Sequence, residues 1–339
     1  MAWVARTLTI RSAPHLRSGA SVDTIMFHVV LALLPVTAFG IYAFGLAAAL
    51  TVAVAVASCV GTEHLACRLA GRPSTIGDWS GVITGLLYGL VLPPGLPLWM
   101  TAVGGVIAIG VGKVLFGGLG FNPFNPALVG RAVLQAAFPV AMTSWLLPFD
   151  PARFVSVPSS TLTVPLFAPV YDALATATPL ARWKFDRTLT DSGDLALGFV
   201  SGSIGETSAV LVLLGGAYLV ARNMMSWRIP LAILASVTLC ATALHALDPA
   251  RYAPAHFHLC SGGLMLGAVF MATDMVASPM TSLGHYCYGV LIGVLTLVIR
   301  TWGGMPEGVM YAILLGNAVS PLIDRAIRPR TYGTRGVAG

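Results

Sequence analysis

Ten apolar runs organise this chain, at about 24–43, 44–60, 80–95, 98–116, 126–147, 203–220, 229–247, 259–273, 285–300 and 306–323. A helix rises about 1.5 Å per residue, so each run crosses, or nearly crosses, ~30 Å of hydrocarbon. Without water to bond the backbone, such runs fold as helices, and the expected fold is an all-α polytopic membrane protein. Several runs are short or interrupted by Gly and Pro. Helices break in this way where they are surrounded by other helices rather than by lipid.

Composition excludes the alternatives. The chain is 56% hydrophobic and 9% charged, against about 25% charged in soluble domains, so it is not one of those. Its net charge of +6 is spread along the sequence instead of being gathered with aromatics on one face, which argues against a nucleic-acid partner and for a lipid bilayer. The five cysteines form no CxxC and read as helix-packing residues, so no metal is expected. The first 23 residues carry Arg6, Arg11 and Arg17, and the run that follows has no convincing small-residue cleavage site.

A cytoplasmic amino terminus places Arg68, Arg72, Arg222, Arg228 and the arginines from Arg325 onward on the same inner side. The chain then divides into a cytoplasmic segment 1–23, a five-helix half 24–147, an outside segment 148–202, a second five-helix half 203–323 and a cytoplasmic tail 324–339. An odd number of helices per half makes the halves inverted repeats, an architecture with sites where broken helices meet near the midplane. Leu115-Phe-Gly-Gly-Leu-Gly120 is echoed by Thr301-Trp-Gly-Gly-Met-Pro306, and the proline-rich break at 92–97 by the interruption from Asp274 to Pro279.

Three polar stretches carry the candidate chemistry. In Gly117-Gly-Leu-Gly-Phe-Asn-Pro-Phe-Asn-Pro126, Asn125 before Pro126 is a helix N-cap, and Asn122-Pro123 repeats the device. The free N–H groups and positive end of that helix can face a carbonyl edge or an anion. Around Phe270–Thr281, Asp274 stands among few charges, either on an ion path or as a helix cap. Glu63, Asp78, Glu206 and Glu307 read as interfacial, and His256 and His258 as surface residues without a third metal ligand. The third stretch is Tyr171-Asp-Ala-Leu-Ala-Thr-Ala-Thr-Pro-Leu-Ala181. Its Thr178 hydroxyl lies between Ala177 and Pro179, with Asp172 six residues upstream and small neighbours that leave it accessible. It resembles the site at which flavin transferases join FMN to threonine. The common form has Ser-Gly before the Ala-Thr pair, and here Ala175 and Thr176 stand there, so Thr176 is a second candidate acceptor. A threonine in such a loop can also simply cap a helix.

In combination and in order, the three stretches resemble the family of the D subunit of the Rnf electron-transport complex. They are similar, more distantly, to the B subunit of the sodium-translocating NADH:quinone oxidoreductase. The resemblance runs over nearly the whole chain. It implies covalent FMN on Thr178 and a non-covalent riboflavin, toward the cytoplasm, lined by Asn122 and Asn125. Arg131, one to two turns further into the same helix, is a further candidate for that pocket. It implies an electron relay in the bacterial inner membrane, coupled to Na⁺ or H⁺ transport, with NADH and ferredoxin as the terminal couple. Other membrane, extracytoplasmic flavin and iron–sulfur subunits would handle that couple, because this chain has no nucleotide fingerprint, no ferredoxin-type cysteine run and no complete active site. Maturation would need a flavin transferase. A tether keeps a dianionic cofactor at an exposed site where salt screens free charges. Arg182 and Lys184 either meet the remaining phosphodiester charge or are solvated loop cations. The rival reading is an inverted-repeat solute channel or transporter without redox cofactor, its Asn-Pro helix ends lining a permeation path.

Overall fold

The computed structural model describes residues 21–165, 167 and 176–328. Asp172 lies outside the described residues, as do most of the segment 1–23 and of the tail 324–339. The principal helices are α1 Val22–Phe44, α2 Leu46–Leu69, α3 Ser80–Leu90, α4 Leu98–Gly110 and α5 Pro126–Ala137. They continue with α6 Ala209–Ala221, α7 Arg228–Leu247, α8 (Leu264–Leu266 running into the π-helical turns Gly267–Met271), α9 Ser282–Trp302 and α10 Val309–Ala326. No strand forms among the described residues, and one isolated bridge pairs Trp145 with Thr176.

Five helical segments are long and apolar enough to cross a membrane: α1, α2, the stretch Leu98–Phe116 that contains α4, α7 and α9. The chain is thus a multi-pass helical membrane protein. Of the remaining elements, α3 and α6 are apolar but shorter. The run expected over 126–147 breaks after Ala137, because Pro139 offers no N–H to continue the ladder and disfavours helical geometry at Phe138.

Close backbone contact holds the bundle together. A Cβ on Gly85 would meet the Val56 Cα at 2.5 Å, so α3 can lie against α2 at that depth only with no side chain there. This is the small-residue packing of membrane helices, in which van der Waals contact replaces the hydrophobic driving force lost in lipid. The α1–α2 turn needs Gly45 for two reasons. Its φ is +70°, and a Cβ there would run into the Arg153 carbonyl oxygen. That carbonyl accepts the Leu46 N–H, while Arg153 Nε donates to the Tyr42 carbonyl and the Phe149 N–H to that of Ala43. The segment after Leu147 is therefore clamped to the end of α1.

Glu63 corrects the expectation of an interfacial carboxylate. It is 5% exposed, and its Oε1 lies 2.6 Å from Lys113 Nζ, whose side chain is equally buried. Lys113 also donates to Ser80 Oγ, and Thr75 Oγ1 donates to Glu63. The pair ties the foot of α2 to the end of α4 and the start of α3. Removing one partner strands the other charge at a cost of about 3–5 kcal/mol, whereas replacing both is far milder. Lys113→Met and Glu63→Leu should each lower the thermal unfolding midpoint in detergent sharply, and the double variant by much less than their sum. Additive losses would show that the pair contributes no coupling.

Candidate functional site

Two cavities flank α5. The first lies at its amino-terminal end. Asn125 caps the helix, its Oδ1 accepting the Ala127 N–H at 3.1 Å, and its Nδ2 donates to the Met271 carbonyl at 3.2 Å. Asn122 Nδ2 donates to the Phe124 carbonyl and reaches Asp274 Oδ2 at 3.5 Å. Asn122 and Asn125 of one stretch and Asp274, 152 residues beyond Asn122, thus line one cavity of about 110 Å³ together with Lys113. Asp274 Oδ1 also accepts the Val276 N–H, so it does cap a turn. Burial pushes its carboxyl up, while the Val276 and Asn122 donors pull it down. The amides supply donors and acceptors for a polar ring edge. The space is smaller than the roughly 300–1,000 Å³ of ordinary ligand cavities, and Met26, Met224, Met225 and Met275 on its wall are the side chains most able to give way.

The second cavity, of about 400 Å³, contains Thr178. Thr178 is the N-cap of the turn Pro179–Ala181, with Oγ1 accepting the Ala181 N–H at 3.2 Å. Its hydroxyl hydrogen has no acceptor among the described residues. Thr176, by contrast, donates its hydroxyl to Ser201 Oγ at 2.5 Å and its N–H to the Trp145 carbonyl. Ala177 and Trp145 also line the cavity, and Arg131, Glu206, Glu307 and Tyr311 close it on the side of the bundle. Arg131 is 5% exposed and its Nε has no hydrogen-bond partner. Nε itself is sealed off, and the terminal nitrogens, which make no hydrogen bond to the described residues, are the donors that a ligand in this cavity would meet.

Arg131 therefore stands in the Thr178 cavity and not beside Asn122 and Asn125. The reason is helical phase: Pro126 lines the first cavity, and Arg131 and Gln135, one face round, line the second. Pro126 and Arg131 are separated by about 7.5 Å along the axis. Ile25 and Met26, near the start of α1, line the first cavity, and the other end of that helix, at Phe44, clamped to the segment that follows Trp145, lies about 28 Å further along its axis.

Lys184 does not face Thr178. Its Nζ donates to the carbonyls of Arg300, Gly303 and Met305. Arg182 lines a separate cavity of about 280 Å³ that shares Ala177 with the Thr178 cavity. His258 is buried rather than at the surface. The buried charges Lys113 and Arg300 escape a reading of the sequence, although each interrupts an apolar run, which is the available signal. Arg300 NH2 pairs with Glu307 Oε1 at 3.2 Å, and its guanidinium donates to the carbonyls of His258 and Ser261.

Comparison with known proteins gives a consistent answer. The chain is 44% identical over 329 residues to the D subunit of the ion-translocating oxidoreductase complex of Stutzerimonas stutzeri, covering 93% of each chain. It is 42% identical over 330 residues to the D subunit of the Na(+)-translocating ferredoxin:NAD(+) oxidoreductase complex of Acetobacterium woodii, covering 96% of this chain and 95% of the relative. It is 41% identical over 337 residues to the D subunit of the proton-translocating ferredoxin:NAD(+) oxidoreductase complex of Clostridium ljungdahlii, covering 96% of each. The model of the NQR2, RnfD, RnfE family matches residues 9–333, and the chain belongs to that family.

Proposed function

We propose that this chain is the D-type membrane component of an ion-translocating oxidoreductase complex, relaying electrons between FMN esterified to Thr178 and a riboflavin held at Asn122 and Asn125. The observation that carries the reading is Arg131, a buried guanidinium that lines the cavity of Thr178 with its terminal nitrogens unbonded to the described residues. Bound flavin supplies reversible electron acceptance on its ring, and the chain supplies position and charge. Thr178 offers the attachment oxygen, Arg131 a cation for the ring's electron-rich edge, and Trp145 and Tyr311 flat walls. At the other end, the Asn122 and Asn125 amides and the positive end of α5 orient the second ring, with room made by the methionines.

Asp274, beside Asn122, shapes that pocket or lies on the ion path. The named relatives include both sodium and proton translocators, so family membership leaves the coupling ion open. Iron–sulfur and further flavin subunits, a flavin transferase and a location in the bacterial inner membrane belong to the same proposal.

Ten helices in two inverted halves, with 148–202 outside, also belong to it, and the packing supports that arrangement. Helix α2 packs on α4 as α7 does on α9, α4 on α5 as α9 does on α10, and α1 meets α6. At the end of α4, Lys113 joins Ser80 to a glutamate, and at the end of α9 Arg300 joins Ser261 to another. The channel reading has less behind it, because Asn125 spends both polar atoms inside the protein and α5 stands between the cavities.

Protein produced with a flavin transferase and then denatured should give a fluorescent gel band that Thr178→Val abolishes and Thr176→Val retains. A dark wild-type band would sink the redox reading, and loss only in Thr176→Val would move the attachment by two residues. Changing Asn122 and Asn125 together to leucine should remove extractable riboflavin while the covalent band stays. Unaltered riboflavin in that folded variant would place the second flavin elsewhere.

A further inference from the structure

Beside the Thr178 cavity, across Leu180 and Pro306, lies another of about 100 Å³ that no part of the electron relay uses. One water needs roughly 10–15 Å³ of such space, so it holds several waters or one small polyatomic ion. Lys184, Arg187, Arg251, Arg300 and His258 line it, and no carboxylate does. Among the described residues, the only cations ion-paired to carboxylates are Lys113 and Arg300. Lys184 is held by three neutral carbonyls, Arg187 donates to the Arg251 carbonyl at 2.8 Å, and both arginines lie over rings, of Trp183 and Tyr252.

Three cations thus share one pocket without an ion pair to a carboxylate among the described residues, Lys184 half-buried and Arg187 and Arg251 exposed at its edge. Gathering like charges in a partly enclosed space is unfavourable unless an anion completes the set. Burial also pulls the Lys184 ammonium down. Two further atoms on the wall residues are unsatisfied. Arg300 Nε and His258 Nδ1 are buried without partners, in residues 5% and 4% exposed. The pocket's rim is aromatic, with Trp302 56% exposed beside Trp183 and Tyr252. Such rings sit where hydrocarbon gives way to headgroups.

We propose that this cavity binds a phosphate group, carried by an anionic phospholipid headgroup or free in solution. Guanidinium forks match phosphate oxygens in pairs, and Arg187 and Arg251 keep donors uncommitted to protein for that purpose. Basic pockets at the ends of membrane helices take acidic headgroups by the same chemistry, and Trp302 would lie along the glycerol region of such a lipid. The site does not rest on flavin at Thr178 and would persist in a Thr178→Val protein.

The test is equilibrium binding of fluorescent phosphatidylglycerol to the delipidated full chain in dodecyl maltoside, with unlabelled phosphatidylglycerol, phosphatidylcholine and inorganic phosphate as competitors. Saturable binding displaced by phosphatidylglycerol but not by phosphatidylcholine or phosphate, and weakened at least about tenfold by Arg187→Gln with Arg251→Gln, identifies the lipid as source. Displacement by millimolar phosphate in wild type but not in the double variant identifies free phosphate. Arg68→Gln, an exposed arginine away from the pocket, should bind as wild type. Should the double variant be unstable, Arg251→Gln alone serves, and the competition needs no variant. Equal affinity for the two lipids with no effect of phosphate, or undiminished binding in the variants, would overturn the proposal.

Discussion

A charge removed from water must be matched where it stands, and this constraint decides how the bundle is tied together. An unmatched buried ion costs several kcal/mol, so Lys113 fixes where Glu63 and Ser80 must be, and Arg300 fixes Glu307 and the turn at Ser261. Each basic residue ends a membrane-crossing helix and reaches the start of a short, broken one. The broken helices α3 and α8 are thereby held by their amino-terminal ends, while glycine contacts such as Gly85 on Val56 settle their depth. Arg131 is the exception. It is as buried as Lys113 but forms no ion pair and no hydrogen bond with the described residues, and that imbalance is what points to a ligand.

Helix α5 links the two cavities. Its amino-terminal end is set by the local chemistry of Asn125 and Pro126, and its opposite flank presents Arg131 and Gln135 to the Thr178 side. A short helix thus brings the inner walls of two cavities to within a few turns of each other, the spacing that the proposed relay needs.

The sequence is legible where interactions are local. Apolar runs mark the membrane segments, and Asn125 before Pro126 marks the start of α5 to the residue, since an N-cap bonds only two positions ahead. Pro139 could mark the break after Ala137 on the same grounds, but a run of apolar residues on both sides hides it. What cannot be read is long-range. Glu63 reads as interfacial because its partner stands 50 residues away inside an apolar run. Lys184, six residues from Thr178, turns instead to carbonyls at Arg300, Gly303 and Met305, and nothing near it in sequence signals that choice. Proximity along the chain puts Arg131 with Asn122 and Asn125, whereas helical phase sends it to the cavity on the other side of α5.

The most direct measurement is a cryo-electron microscopy map of the intact complex at a resolution that defines flavin rings. The two-cavity arrangement predicts one ring continuous with Thr178 and contacting the Arg131 guanidinium, and a second at Asn122 and Asn125, the two separated by less than about 18 Å, the length of a 12-residue helix. An Arg131 cavity filled only by lipid or water in a flavin-loaded complex, or both rings on one side of α5, would contradict it.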